Sequence, residues 1–161
     1  MPLELAGFIN PAFNKSLTMN IVHYKSVGFE LVGKMVIDPV QGKKKHNVYV
    51  SYVDDFDPKK KKVVYIIANS LQVLKIGESE NLHHRFQCYE SHSGPTNMFI
   101  RESMENLKEY GIYFIECPSI KVGYGGVIVD SGIQYKDLEK KLLLQYKERE
   151  GKVPMWNKGI Q

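Results

Sequence analysis

Two apolar runs dominate the hydrophobic pattern of the chain, Val63 to Ala68 (VVYIIA) and Gln72 to Gly77 (QVLKIG), with Asn69-Ser70 between them. Short runs rich in β-branched residues and separated by a polar turn predict a β-hairpin. With Asn69 to Leu71 as the turn, Ala68 is expected opposite Gln72, and the ladder then sets Tyr65 opposite Lys75. Directly opposed residues share a face with Cβ atoms about 5 Å apart, so the ammonium would reach the phenol. A neighbouring positive charge favours the phenolate, and the expectation is a Tyr65 pKa below its usual value of about 10.

After Gly77 the period changes. Ser79 is the expected helix N-cap with Glu80 in the first turn, and Leu82, Arg85, Phe86 and Tyr89 follow at three- and four-residue spacing. Arg85 and Tyr89 therefore lie one above the other on the face that carries Leu82 and Phe86. Glu90 to Pro95 reads as a loop, and Thr96 to about Glu109 as a second helix with Met98, Ile100, Met104 and Leu107 on one side. Two strands, Tyr110 to Cys117 and Val122 to Asp130, come next, the second opening on Gly123-Tyr124-Gly125-Gly126.

The last helix is expected from Tyr135 to Arg149, with Leu138, Leu142, Leu143 and Tyr146 as its inward stripe. Glu139 sits at the edge of that stripe. A carboxylate there is either an ion-pair partner, Arg85 being the candidate, or a ligand for a hard metal ion.

Upstream of the central hairpin, residues 1–26 show no sustained period and read as an arm. Gly28 to Ile37 and Asn47 to Tyr52 read as a second hairpin, whose tip carries Lys43, Lys44, Lys45 and His46. Asp54 to Lys62 is a loop with three aspartates followed by Lys59, Lys60, Lys61 and Lys62. Its acids lack calcium-loop spacing, and loop acids are ordinarily just solvated.

Composition narrows the picture. A chain of 161 residues with 43% apolar content supports one core. It lacks a long apolar run and a signal-peptide pattern, so a cytoplasmic protein without a membrane partner is expected. Cys88 and Cys117 are too far apart in sequence for a metal knuckle and read as core thiols. The net charge of +4 permits a polyanionic partner.

Taken in order, Tyr65, Lys75-Ile76-Gly77, Arg85, Tyr89, Glu139 and Pro154-Met155-Trp156-Asn157 resemble the GIY-YIG nucleases over Val63 to Asn157. The pattern departs from that family twice: Val63-Val64 stand where Gly-Ile is usual, and Lys75 stands where the second tyrosine is usual. Lysine at that place is similar to some small restriction endonucleases of the family. The resemblance implies an α+β fold with a small antiparallel or mixed sheet around the central hairpin, flanked by helices. An N-terminal arm and basic hairpin (1–62) would precede a catalytic domain (63–161) carrying an insertion at 95–134.

It further implies phosphodiester hydrolysis of double-stranded DNA. Tyr65 would take the proton from water beside Lys75, Arg85 and Tyr89 would hold the phosphate, and Glu139 would bind one Mg²⁺, with Mn²⁺ as the alternative. Gly77 and Asn157 would be structural, while Lys43, Lys44, Lys45, Lys59, Lys60, Lys61, Lys62 and His84 would face the DNA. The small size favours a self-contained homodimeric type II restriction endonuclease. A structure-selective repair or mobile-element nuclease is the alternative with the same chemistry, and a catalytically silent DNA-binding module the alternative from another class.

Overall fold

The computed structural model describes residues 20–42, 46–59, 62–117, 120–124, 126–131 and 134–158. Helix α1 (Ile21–Ser26) leads into strands β1 (Glu30–Ile37), β2 (Val48–Tyr52), β3 (Val63–Ala68) and β4 (Val73–Ser79). Helices α2 (Leu82–Ser91) and α3 (Pro95–Ser103) follow, then β5 (Tyr110–Glu116), the pair β6 (Ile120–Tyr124) and β7 (Val127–Ser131), helix α4 (Tyr135–Glu150), and a 3-10 turn at Met155–Lys158. The arm up to residue 19, the tip lysines Lys43, Lys44 and Lys45, and Lys60, Lys61 and Gly125 lie outside the described residues.

The run Val63–Ala68 is buried at every position because β3 is covered on both faces. One five-stranded antiparallel sheet runs β2-β1-β5-β3-β4. The fold is thus α+β, a helix-flanked antiparallel sheet. On one face Val63, Tyr65 and Ile67 pack against Leu82, Phe86 and Tyr89 of α2, Ile100 of α3 and Trp156. On the other, Val64, Ile66 and Ala68 meet Tyr135, Leu142 and Tyr146 of α4 together with Tyr24 and Phe29. Burial from both sides is why this strand reads as a continuous apolar run without alternation. The β1–β2 hairpin joins the same sheet through β5, which comes from the segment read as an insertion and is its middle strand.

The register of the central hairpin corrects the expectation from sequence. Tyr65 pairs with Gly77, and Lys75 pairs with Ile67. Two single-residue slips produce this. The turn is one residue longer, since Asn69 Oδ1 accepts from the backbone N–H of Leu71 (2.9 Å) and of Gln72 (2.8 Å), so Ala68 pairs with Val73. A bulge between Ile67 and Ala68 then adds the second. Because facing alternates with period two, the slips cancel in parity, and Tyr65 and Lys75 stay on one face as diagonal neighbours.

Other boundaries also shift. β4 continues to Ser79, and the N-cap of α2 is Asn81, whose side chain accepts from His84 N at 3.1 Å. Glu90 and Ser91 belong to α2 instead of a loop. α3 starts at Pro95, a favoured first position, and stops at Ser103. Leu107, expected on its apolar side, is 68% exposed in a turn whose backbone N–H donates to Ile37 O at 2.9 Å. Residues Val122 to Asp130 are not one strand: β6 and β7 form an antiparallel pair with Gly126 at φ +81° in the turn. α1 gives residues 21–26 a helical turn, capped by Asn20, where no element was expected.

The 3-10 turn at Met155–Lys158 closes the sheet edge. Trp156 is fully buried beside Tyr110, ring centroids 5.2 Å apart, which sets Asn157 against β4. Its side chain accepts from Ile76 N at 3.0 Å and donates to Ile76 O at 2.8 Å. An amide in this role satisfies both outward backbone groups of an edge-strand residue.

Candidate active site

The close approach of Tyr65 to Gly77 starts the site. A Cβ at residue 77 would stand 2.5 Å from both Cζ and Oη of Tyr65, so only glycine leaves room for the phenol ring. Phe86 and Tyr89 of α2 hold that ring edge-on at centroid distances of 5.4 and 6.5 Å. The hydroxyls of Tyr65 and Tyr89, both buried, are hydrogen-bonded to each other in a very short contact.

Helix α4 brings the carboxylate. Tyr135, in its first turn, donates its hydroxyl to Glu80 Oε2 at 2.8 Å and so ties α4 to the chain just beyond β4. Glu139, one turn later, is half-buried. A cleft of about 350 Å³ results, lined by Tyr65, Lys75, Gly77, Arg85, Tyr89, Glu139 and Asn157 from five different elements. All five residues expected to be catalytic meet there. Glu78 and the N-terminal residues of α3, Thr96 and Asn97, also line it and were not anticipated from sequence.

The remaining expected contacts scatter. His84 is exposed on α2 with its Nε2 4.0 Å from Cys88 Sγ, and Lys59 is exposed in the loop before β3. Lys62 takes a left-handed backbone (φ +58°), its carbonyl accepting from Cys117 N at 3.0 Å. Both cysteines are half-buried; Cys117 packs against the second core, as its reading as a core thiol expected, whereas Cys88 belongs to neither core.

Electrostatics overturn the expected Tyr65 ionisation. Burial, reinforced by Tyr89, raises its pKa well above 10, and the opposing influence of Arg85 does not offset this. Burial likewise pushes Tyr89 up to about 12. The shifted base is the lysine: burial, and then the charge of Arg85, lower Lys75 to about 8, with Glu139 pulling the other way. For Glu139, burial and then Glu78 raise the pKa, against the charges of Lys75, Lys140 and Arg85. Among the described residues no ion pair joins Arg85 to Glu139, so the ion-pair reading of this carboxylate finds no contact to support it.

Glu139 and Glu78 are the carboxylates of the cleft. Among the described residues no three His, Cys, Asp or Glu side chains converge as a cage. One or two carboxylates completed by water is the donor set Mg²⁺ takes, and a bound cation would relieve the repulsion that Glu78 exerts on Glu139. The residues fit a hydrated divalent cation.

The sheet, its helices and this cleft define a fold found among nucleases. The model is similar to a restriction endonuclease, HPY188I in complex with product DNA, with 20% identity over 83% of this chain and 82% of that one and a TM-score of 0.52. It is also similar to a mutant of bacteriophage T4 EndoII, with 18% identity over 86% of this chain and 98% of that one and a TM-score of 0.57. No family model and no curated protein matches the chain. Among the described residues no helix is long and apolar enough to cross a membrane.

The half-buried lysine is expected to cost stability. With a folded pKa of about 8, Lys75 holds fewer protons than in the unfolded chain between about pH 8 and 10.5, so its contribution to stability rises with pH across that window. Below it the buried charge costs up to about 3 kcal/mol. Lys75→Met is expected to raise stability at pH 7, measured by urea unfolding, and the gain should shrink to nothing above about pH 10.5. A variant destabilised at pH 7 would refute this charge penalty.

Proposed function

We propose that this chain is a Mg²⁺-dependent endonuclease of the GIY-YIG type that cuts double-stranded DNA, acting as a homodimeric type II restriction enzyme. The convergence of Tyr65, Lys75, Arg85, Tyr89 and Glu139 on one cleft carries this reading. The fold shared with a restriction endonuclease that was solved with product DNA supports it. Phosphodiester hydrolysis requires a proton acceptor for water and positive charge at the phosphate. Arg85 offers paired guanidinium donors that match a non-bridging phosphate oxygen and its neighbour. Glu139, with Glu78 in the same cleft, would hold the metal. When bound, Mg²⁺ neutralises the phosphate and the departing 3′ oxygen.

With its raised pKa, Tyr65 is not a standing phenolate at neutral pH. It would accept the proton of the attacking water and release its own; because its hydroxyl is bonded to Tyr89, the neutral amine of Lys75, which lines the same cleft, would take that proton through a bridging water. Water is thereby deprotonated, Tyr65 returns to its starting state, and Lys75 ends as the ammonium. The tip lysines (Lys43, Lys44, Lys45), those of the 59–62 loop and His84 would lie along the DNA backbone, making affinity fall with salt. Two-fold symmetry gives one site per strand of a short palindrome. A second reading with the same chemistry is a structure-selective repair or mobile-element nuclease, supported by the likeness to bacteriophage T4 EndoII, 98% of whose chain is covered.

Incubation of purified protein and Mg²⁺ with plasmid DNA should give discrete bands for a restriction enzyme, and a smear for the second reading. Glu139→Gln should abolish cleavage while leaving DNA binding intact in a gel-shift assay. If that variant cuts at the wild-type rate, the metal assignment fails.

The proton path fixes the pH dependence. Activity needs neutral Lys75, so the single-turnover rate should rise with pH through about 8, and Lys75→Met should remove that limb along with most of the rate. Tyr65→Phe should cost about 10² to 10⁴ in rate at every pH. A wild-type rate that falls as the pH passes about 8 would instead make Lys75 a required cation.

A further inference from the structure

Beyond the cleft stands Arg101, an arginine of α3 that is only 7% exposed. Its Nη1 donates to the backbone carbonyl of Tyr89 at 2.8 Å. That carbonyl is one of the last four of α2, which the helix itself cannot satisfy. The neighbouring one, Cys88 O, is taken by His92 N at 2.9 Å. α2 has no basic residue in its own last turn, so the cation that complements its negative end comes from the next helix.

Isolating this charge is costly. Arg101 Nη2 is buried with no hydrogen-bond partner among the described residues, and burial lowers the guanidinium pKa. A buried cation with incomplete pairing lowers stability, so packing alone does not account for arginine here.

We infer that Arg101 is a positioning residue for the proposed nuclease reaction, an inference that rests on the nuclease reading: it fixes the last turn of α2 so that the Tyr89 hydroxyl meets Tyr65. The same bond sets α2 against α3, whose first residues, Thr96 and Asn97, also line the cleft. Displacing the last turn of α2 would move the Tyr89 hydroxyl off Tyr65 while leaving Arg85, one turn earlier, to hold phosphate.

A double-mutant cycle tests this. Single-turnover rates and DNA affinity are measured for wild type, Arg101→Met, Tyr89→Phe and the double variant. Arg101→Met should slow cleavage about 10- to 100-fold with DNA affinity unchanged, and should cost nothing further once Tyr89 is phenylalanine. Arg101→Lys, which keeps the cation, should recover part of the rate; it also supplies the cycle if the methionine variant does not fold. Additive losses, or weakened DNA affinity with an unchanged rate, overturn the positioning role while the nuclease reading stands. Wild-type protein that does not cut DNA overturns both.

Discussion

Everything in the cleft depends on the van der Waals contact between the Tyr65 ring and the bare backbone of Gly77. A side chain at residue 77 would collide with the phenol 2.5 Å away, so the cross-strand pair of a tyrosine and a glycine is a steric requirement. Seated there, the ring is clamped by Phe86 and reaches Tyr89. The strand that carries it is buried on both faces, giving a side chain with almost no freedom to move. α4 then adds Glu139 from the opposite side of the sheet, and Asn157 fixes the edge strand from which Lys75 projects.

The cleft sets stability against function. It holds a lysine shifted down to about 8, two buried phenols and a carboxylate raised by burial and then by a second one. Each arrangement places a polar group where burial disfavours its charged form. Local costs of this kind are sustained when the surrounding core over-determines the geometry. Two hydrophobic cores meeting at β3 supply that constraint, and Trp156 extends the first of them to the 3-10 turn at Met155–Lys158.

Much of this was legible from the chain because elements and faces are written in its period. The β3–β4 hairpin, the helix bearing Arg85 and Tyr89, and the late helix bearing Glu139 follow from runs and spacings. The register did not, since neither the side-chain cap of Asn69 nor the bulge beside Ala68 leaves a period of its own. Glu78 was passed over because β4 was expected to end at Gly77, whereas the strand runs on to Ser79. The direction of the Tyr65 shift was misjudged for a related reason. Pair spacing reports the neighbouring charge, but burial decides this pKa, and burial emerges only when helices close over both faces of the sheet.

The most direct test of the account is a structure of the protein bound to duplex DNA with Ca²⁺, a cation that takes the same oxygen ligands and is used to hold the substrate uncut. The account predicts a backbone phosphate against Arg85, with the cation on Glu139 and the Tyr65 hydroxyl facing that phosphate. DNA seated elsewhere on the protein, with the cleft between Arg85 and Glu139 holding neither phosphate nor cation, would contradict it.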